Sequence, residues 1–186
     1  MNSVMDATTR ILTSMGTEAA TTNRVAEIAG VSIGSLYQYF PNKDAIMASL
    51  IERHLSERKK SIIQILDENK DEPGEVVIEK VITNIVQMFI GNKIFLKALF
   101  TNLPRLDKTR DLLFVRNEIT ETLVVFFESR SEVIQVKDVR AAFFVITSAV
   151  MGVVQTSIFT EDLKFDQETL KQELITLVKR YLMGTQ

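Results

Sequence analysis

The sequence predicts an all-α fold, with a three-helix, helix-turn-helix domain over residues 1–45 followed by a larger helical domain over residues 46–186. Three observations carry that expectation. Apolar residues recur at three- and four-residue spacing almost throughout, no segment alternates convincingly as a half-buried strand, and breakers are sparse, with Gly 7 and Pro 3 in 186 residues. Hydrophobic residues at 46% and charged residues at 25% are the balance of a globular protein with a packed core, which excludes global disorder.

Taken in order, a first helix is predicted from Ser3 to Met15, with Val4, Ala7, Ile11, Leu12 and Met15 on one face and Gly16 as its stop. Thr21 or Thr22 then caps a short second helix whose inward side is Val25, Ile28 and Ala29. Gly30-Val31 forms a turn, and Ser32 caps a third helix running to Tyr39. Leu36 and Phe40, four apart, are expected to face Ile28, Ala29 and Val31. Pro41-Asn42 breaks the chain before a long fourth helix from Lys43 to Asn69. The polar stretch Lys70-Asp71-Glu72-Pro73-Gly74 reads as a loop. Further helices are expected at Glu75–Ile90, Ile94–Asn102, Lys108–Ser129, Lys137–Thr160 and Asp166–Met183.

Composition narrows the chemistry. With Cys 0 and one histidine, His54, there is no thiolate or histidine-rich metal centre to build, and no glycine-rich phosphate loop or paired His/Glu spacing points to catalysis. No enzyme activity, cofactor or metal is therefore expected. The N-terminus lacks the basic stretch and apolar run of a signal peptide, so a cytoplasmic location is expected. His54 is expected to be a solvated residue on the helix that joins the two domains.

Gly16 to Lys43 reads GTEAATTNRVAEIAGVSIGSLYQYFPNK. Two short helices joined by a glycine-containing turn form a helix-turn-helix, whose second helix enters the DNA major groove. Leu36 and Phe40 would hold that helix inward, leaving Ser32, Ile33, Ser35 and Tyr39 toward DNA, and Gly34 would let the backbone approach closely. The order of glycine, threonine pair, short apolar helix, AGVS, LY-x-YF and lysine resembles the TetR family of bacterial regulators, over about the first quarter of the chain.

That resemblance implies a role for each matched position. Thr22 and Asn23 would offer a hydroxyl and backbone N–H groups to a phosphate, Tyr37 and Tyr39 would touch phosphates or bases, and Lys43 would clamp a phosphate. Ser32, Ile33 and Ser35 are the expected base-edge readers, Ile33 against a thymine methyl, with Gln38, water or DNA shape completing specificity. Structural alternatives stand beside these: Ser32 and Thr22 as helix caps, Tyr37 as a core residue, Lys43 as a solvated lysine.

Charge speaks against DNA binding. The formal net charge is -2, and residues 1–50 hold Arg10, Arg24 and Lys43 against Asp6, Glu18, Glu27 and Asp44. A basic arm commonly precedes the first helix in the resembled family. The expectation is that such an arm lies upstream of this sequence, or that binding uses fewer phosphate contacts.

The larger domain contains AAFFVITSAVMGVVQTSIFT, an uncharged run between Arg140 and Glu161 long enough to span a bilayer. Thr147, Ser148, Gln155, Thr156 and Ser157 interrupt it and no basic flank or aromatic belt accompanies it, so a soluble helix buried on two faces is expected, with no membrane partner. Its small-residue stripe, Ala142, Val145, Ala149, Gly152 and Thr156, is assigned to a partner subunit, and Phe143, Ile146, Val150 and Val153 to the subunit's own core. Leu170, Leu174, Leu177, Val178 and Tyr181 of the last helix would complete a four-helix dimer bundle, as the resemblance implies. Facing neighbouring helices within one chain is the alternative for both stripes.

Met88, Phe89, Phe95, Phe100, Phe114 and Met151, with Phe126 and Phe127, are candidate walls of an apolar ligand cavity. Asn92, Asn117, Thr147 and Gln155 are candidate polar contacts. The expected effector is a small uncharged or amphipathic hydrophobic molecule. The resulting expectation is a homodimeric, ligand-released repressor of a pseudo-palindromic double-stranded DNA operator. A helical adaptor or sensor that binds no DNA by itself is the competing class.

Overall fold

The computed structural model describes residues 1–90, 92–130 and 134–184. Among them, nine helices follow one another: α1 (Asn2–Met15), α2 (Thr22–Ala29), α3 (Ile33–Tyr39), α4 (Lys43–Glu68), α5 (Gly74–Ile90), α6 (Lys93–Asn102), α7 (Thr109–Glu128), α8 (Val139–Phe159) and α9 (Gln167–Met183). No strand occurs among the described residues.

Helix boundaries follow local chemistry. α1 stops where Gly16 adopts φ 76 and returns its N–H to the Leu12 carbonyl. The Thr21 hydroxyl caps α2 by accepting from the Arg24 N–H at 3.3 Å. α2 ends in a left-handed Gly30, with φ 67 and ψ 31. There the Gly30 N–H reaches the Glu27 carbonyl and the Val31 N–H reaches the Ala26 carbonyl at 3.0 Å, the paired closure that glycine makes accessible at a helix end. Asp138 and Asp166 cap α8 and α9 through the N–H groups of Ala141 and Thr169.

Two compact units emerge, and neither follows the expected boundary between residues 45 and 46. The first comprises Met1–Ser56 with Asn92–Leu112, and the second Glu57–Gly91 with Leu113–Gln186. The reason is the size of the core. Three short helices bury too little apolar surface to be stable alone, and here the first half of α4 supplies Ile46, Met47, Leu50, Ile51 and Leu55, while α6 folds back onto α1 with Phe95, Leu96, Leu99 and Phe100 buried. His54 belongs to this packing rather than to solvent: its ring meets Phe95 edge-on, with centroids 5.6 Å apart. Two expected core residues lie outside it, since Met15 and Ile28 are exposed and Ala26 takes the inward place on α2.

In the second unit α5 packs against α8 and α9, and α8 against α9. Phe89, Val124, Phe127, Phe143, Val154 and Leu182 are buried at its centre, where Phe127 stacks on Phe143 at 5.3 Å. Lys179 joins α9 to Glu79 of α5. α8 is long and apolar enough to cross a membrane. In this fold it buries Ala142, Phe143, Ile146, Val150, Val154, Ser157 and Ile158 against other helices.

Candidate DNA interface and effector domain

α3 is anchored at one point. Among its seven residues only Leu36 is buried, followed by Phe40 at the C-cap, and the rest of the helix projects outward. Ile33 is 40%, Tyr37 48% and Tyr39 65% exposed, a density of bare apolar and aromatic side chains that a seven-residue surface helix does not need for folding. Ser32 caps α3, its hydroxyl accepting from the Ser35 N–H at 3.0 Å and lying 2.8 Å from the Ser35 hydroxyl. Its capping role is thus real, and the side chain still sits on the exposed face.

Tyr37 is not a core residue. Its phenol lies 3.2 Å from the Thr22 hydroxyl, linking the start of α2 to the middle of α3 on one surface. Asn23, Ser35 and Gln38 are exposed on the same two helices. Thr22, Asn23, Ser32, Ile33, Ser35, Tyr37, Gln38 and Tyr39 are therefore all available to a ligand outside the unit.

Lys43 is placed differently from the expectation of a free outer lysine. Its ammonium donates to the Thr17 carbonyl at 2.7 Å and the side chain is half-buried, so it pins the loop between α1 and α2 to the start of α4. Beside it the Asn42 side chain accepts from the Ala45 N–H at 2.9 Å, a cap unnoticed in the sequence. Asp44 accepts both terminal nitrogens of Arg105, at 2.7 and 2.8 Å, and that pairing holds its carboxyl below the usual carboxylate range. Arg105 is itself aimed by the buried Asn102, whose Oδ1 accepts from it at 2.9 and 3.1 Å.

This packing changes the charge account. Asp6 pairs with Arg53 at 2.8 Å, and Glu52 with Lys108 at 2.6 Å. Lys108, gripped by Asp111 and Glu52, has its pKa pushed up to about 12. Counted over the first compact unit, nine Lys and Arg stand against seven Asp and Glu, a formal +2, because Asn92–Leu112 contributes five of those cations.

The candidate cavity residues do not converge as expected. Asn92, Phe95 and Phe100 belong to the first unit, where both phenylalanines are buried. Phe114 is 64% exposed, and Asn117 and Gln155 are exposed as well. Thr147 spends its hydroxyl on the Phe143 carbonyl at 2.7 Å and on the Thr120 hydroxyl at 3.1 Å. Phe126 lies under the Arg130 guanidinium, 3.8 Å from its centroid, and Phe127 is core. Phe89 and Met151 do meet, around a residue overlooked in the sequence.

That residue is Arg58. Its Cζ stands 4.3 Å over the Phe89 ring centroid, and Nη2 donates to Met151 Sδ at 3.1 Å. Desolvation lowers its pKa to about 10. The signal was present in the periodicity: Ile51, Leu55, Arg58 and Ile62 occupy one helical stripe, and Arg58 is the one charge on it. Met88 is half-buried on the same helix as Phe89.

The candidate dimer residues divide into two groups. Ala142, Leu170, Leu174 and Val178 are buried within the chain, so these four face its own helices rather than a second subunit. Val145, Ala149, Gly152, Thr156, Leu177 and Tyr181 are exposed, joined by Phe144, Val153 and Phe159. Val153, expected in the core, thus belongs to the outer face.

These features define a helix-turn-helix DNA-binding protein with a separate helical bundle. The family description "Bacterial regulatory proteins, tetR family" matches residues 4–50, and "Tetracyclin repressor-like, C-terminal domain" matches residues 73–182. The chain belongs to the TetR family of transcriptional regulators. It is 32% identical over 77 residues to the HTH-type transcriptional repressor KstR of Rhodococcus jostii, covering 41% of this chain and 33% of that protein. It is 50% identical over 38 residues to the nucleoid occlusion factor SlmA of Haemophilus ducreyi, covering 20% of this chain and 19% of that one. The matches thus span a third or less of these relatives' length. A TetR-family regulator of Mesorhizobium loti shares the fold with a TM-score of 0.76 at 14% identity, covering 97% of this chain and 93% of that one.

Proposed function

We propose that this regulator is a homodimeric repressor that grips a pseudo-palindromic operator with two copies of α3 and releases it when a small molecule binds the second unit. The observation that carries the reading is α3 itself, held by Leu36 and presenting Ile33, Ser35, Tyr37, Gln38 and Tyr39 outward. Dimerisation is supported by the apolar face of α8 and α9, where Val145, Ala149, Gly152, Leu177 and Tyr181 are bare of cover in a single chain. An effector would act by favouring one spacing of the paired recognition helices over another. No catalytic step is part of this function, which operates in the cytoplasm.

The test is a mobility-shift titration of the native chain and Tyr39→Ala on DNA flanking its own coding sequence, with sedimentation on the same samples. Expected are a dimer in solution, a discrete shifted complex, and loss of that complex in the variant without loss of folding. A native monomer that shifts no fragment would instead favour a helical adaptor.

A further inference from the structure

We propose that Arg58 is the anion-recognition point of the effector site, and that the effector is an amphipathic molecule carrying a carboxylate head on an apolar body. The inference rests on the ligand-responsive reading above and names the chemistry of the ligand. It starts from an anomaly of placement. Arg58 sits on the inward stripe of α4 between Leu55 and Ile62, both buried, where a leucine or methionine would satisfy packing at no electrostatic cost. An arginine there gives up part of its water, and proteins offset that with a carboxylate or with carbonyl oxygens.

Elsewhere this chain does so. Part-buried Lys59, next along the helix, holds Glu118 at 2.7 Å, and part-buried Arg130 bonds the carbonyls of Phe126 and Lys70. Arg58 is given a thioether and an aromatic face where these others hold an oxygen acceptor. A guanidinium offers five N–H donors, and here one of them reaches an acceptor, the weakest that side chains provide. No carboxylate pairs with it among the described residues.

The surroundings complete a carboxylate site in kind and in position. Phe89 of α5 lies under the guanidinium, 4.3 Å from its Cζ, and a guanidinium's planar fork is suited to a bidentate carboxylate. Met151 of α8 is a flexible side chain whose sulfur a carboxylate oxygen displaces readily. Ser148, one turn earlier on α8, has a buried hydroxyl without a hydrogen-bond partner, so a second donor lies on the same side of that helix. An uncharged effector would leave the cation without a counter-charge. The sequence-based expectation of an uncharged or amphipathic molecule narrows to the amphipathic, anionic case.

The test titrates the full-length chain with decanoate and with 1-decanol, probes that differ at the head alone. Binding is followed by melting temperature and by the Nε–Hε NMR resonance of Arg58, and operator affinity is measured in the same solutions. Decanoate is expected to raise the melting temperature, to move the Arg58 resonance, and to bind at least about tenfold more tightly than decanol. Arg58→Met should erase that preference and Arg58→Lys should keep part of it. Methionine there needs no counter-charge, so folding should survive; should it not, the lysine variant and the native resonance decide. Equal binding of both probes, binding of neither, or decanoate binding with an unmoved resonance overturns the proposal. Operator release by decanol alone also overturns it while leaving ligand-responsive regulation standing. Decanoate binding through Arg58 with unchanged operator affinity supports the site and removes the regulatory reading instead.

Discussion

Lys43 has one role in the fold and a second proposed on DNA, and two measurements on Lys43→Met distinguish them. The aliphatic stem is kept, while the ammonium and its 2.7 Å bond to the Thr17 carbonyl are lost. A hydrogen bond to a charged donor contributes about 1.5–3 kcal/mol when fully enclosed. The half-buried setting and the access of water to Thr17 bring this toward about 1 kcal/mol. For a chain of this length that corresponds to a fall in melting temperature of roughly 2–4 °C. The same ammonium has two further protons, and if one meets a DNA phosphate, as the family position implies, the slope of log affinity against log salt should shrink by about 0.9. Calorimetry on Lys43→Met gives the first quantity, and anisotropy titrations on a short DNA duplex across a salt series give the second. Both changes are expected together. An unchanged melting temperature would refute the clamp on the loop. A lowered melting temperature with an unchanged salt slope would leave Lys43 a structural pin and remove it from the phosphate contacts.

Gly152→Leu should leave the subunit fold intact, since a Cβ at Gly152 meets nothing within 4 Å, yet it should weaken the proposed dimer in sedimentation; an unchanged dimer places the interface elsewhere. Leu36→Ala removes the single buried side chain of α3 and should cost about 2–5 kcal/mol in denaturant unfolding along with DNA binding, and a loss under about 1 kcal/mol would show that α3 is held in another way. The Asp166 carboxyl is held below its ordinary range chiefly by the Thr169 N–H, so its contribution to stability is complete above that range and fades as pH falls through the lowered value. Asp166→Ala should therefore melt below the native chain near about pH 7 by a margin that shrinks as the pH is taken down through the lowered value, and a pH-independent difference would exclude the charged cap.

Much of this protein is legible in its sequence because the signals are local. Gly16, Gly30 and Ser32 mark helix ends through backbone conformation and capping, which neighbours in sequence decide. The third helix reads correctly for the same reason: Leu36 is its one inward residue, and its exposed positions follow from that. Long-range packing is what periodicity leaves open. Ile28 lies on an apolar face by spacing, but Ala26 fills the closer contact. The phenylalanines after residue 88 look alike in sequence, yet Phe95 closes the first unit, Phe89 supports Arg58 and Phe114 faces outward, because each helix meets a different neighbour. The charge deficit of residues 1–50 was a consequence of the window, since Arg53, Arg105 and Lys108 lie outside it.

The first unit's dependence on Asn92–Leu112 bears on how this regulator can be rewired. Helix-turn-helix heads invite exchange between regulators, with a cut soon after the recognition helix. A graft ending at residue 45 would lack Leu50, Ile51 and Leu55 and would strip α1 of its cover by α6. It would also forfeit the arginine that pairs with Asp44 and, with Arg53, six of the first unit's nine basic residues. A working chimera has to carry α6 and the segment after it together with residues 1–56, so the head and a piece that resumes at Asn92 form one inheritable part.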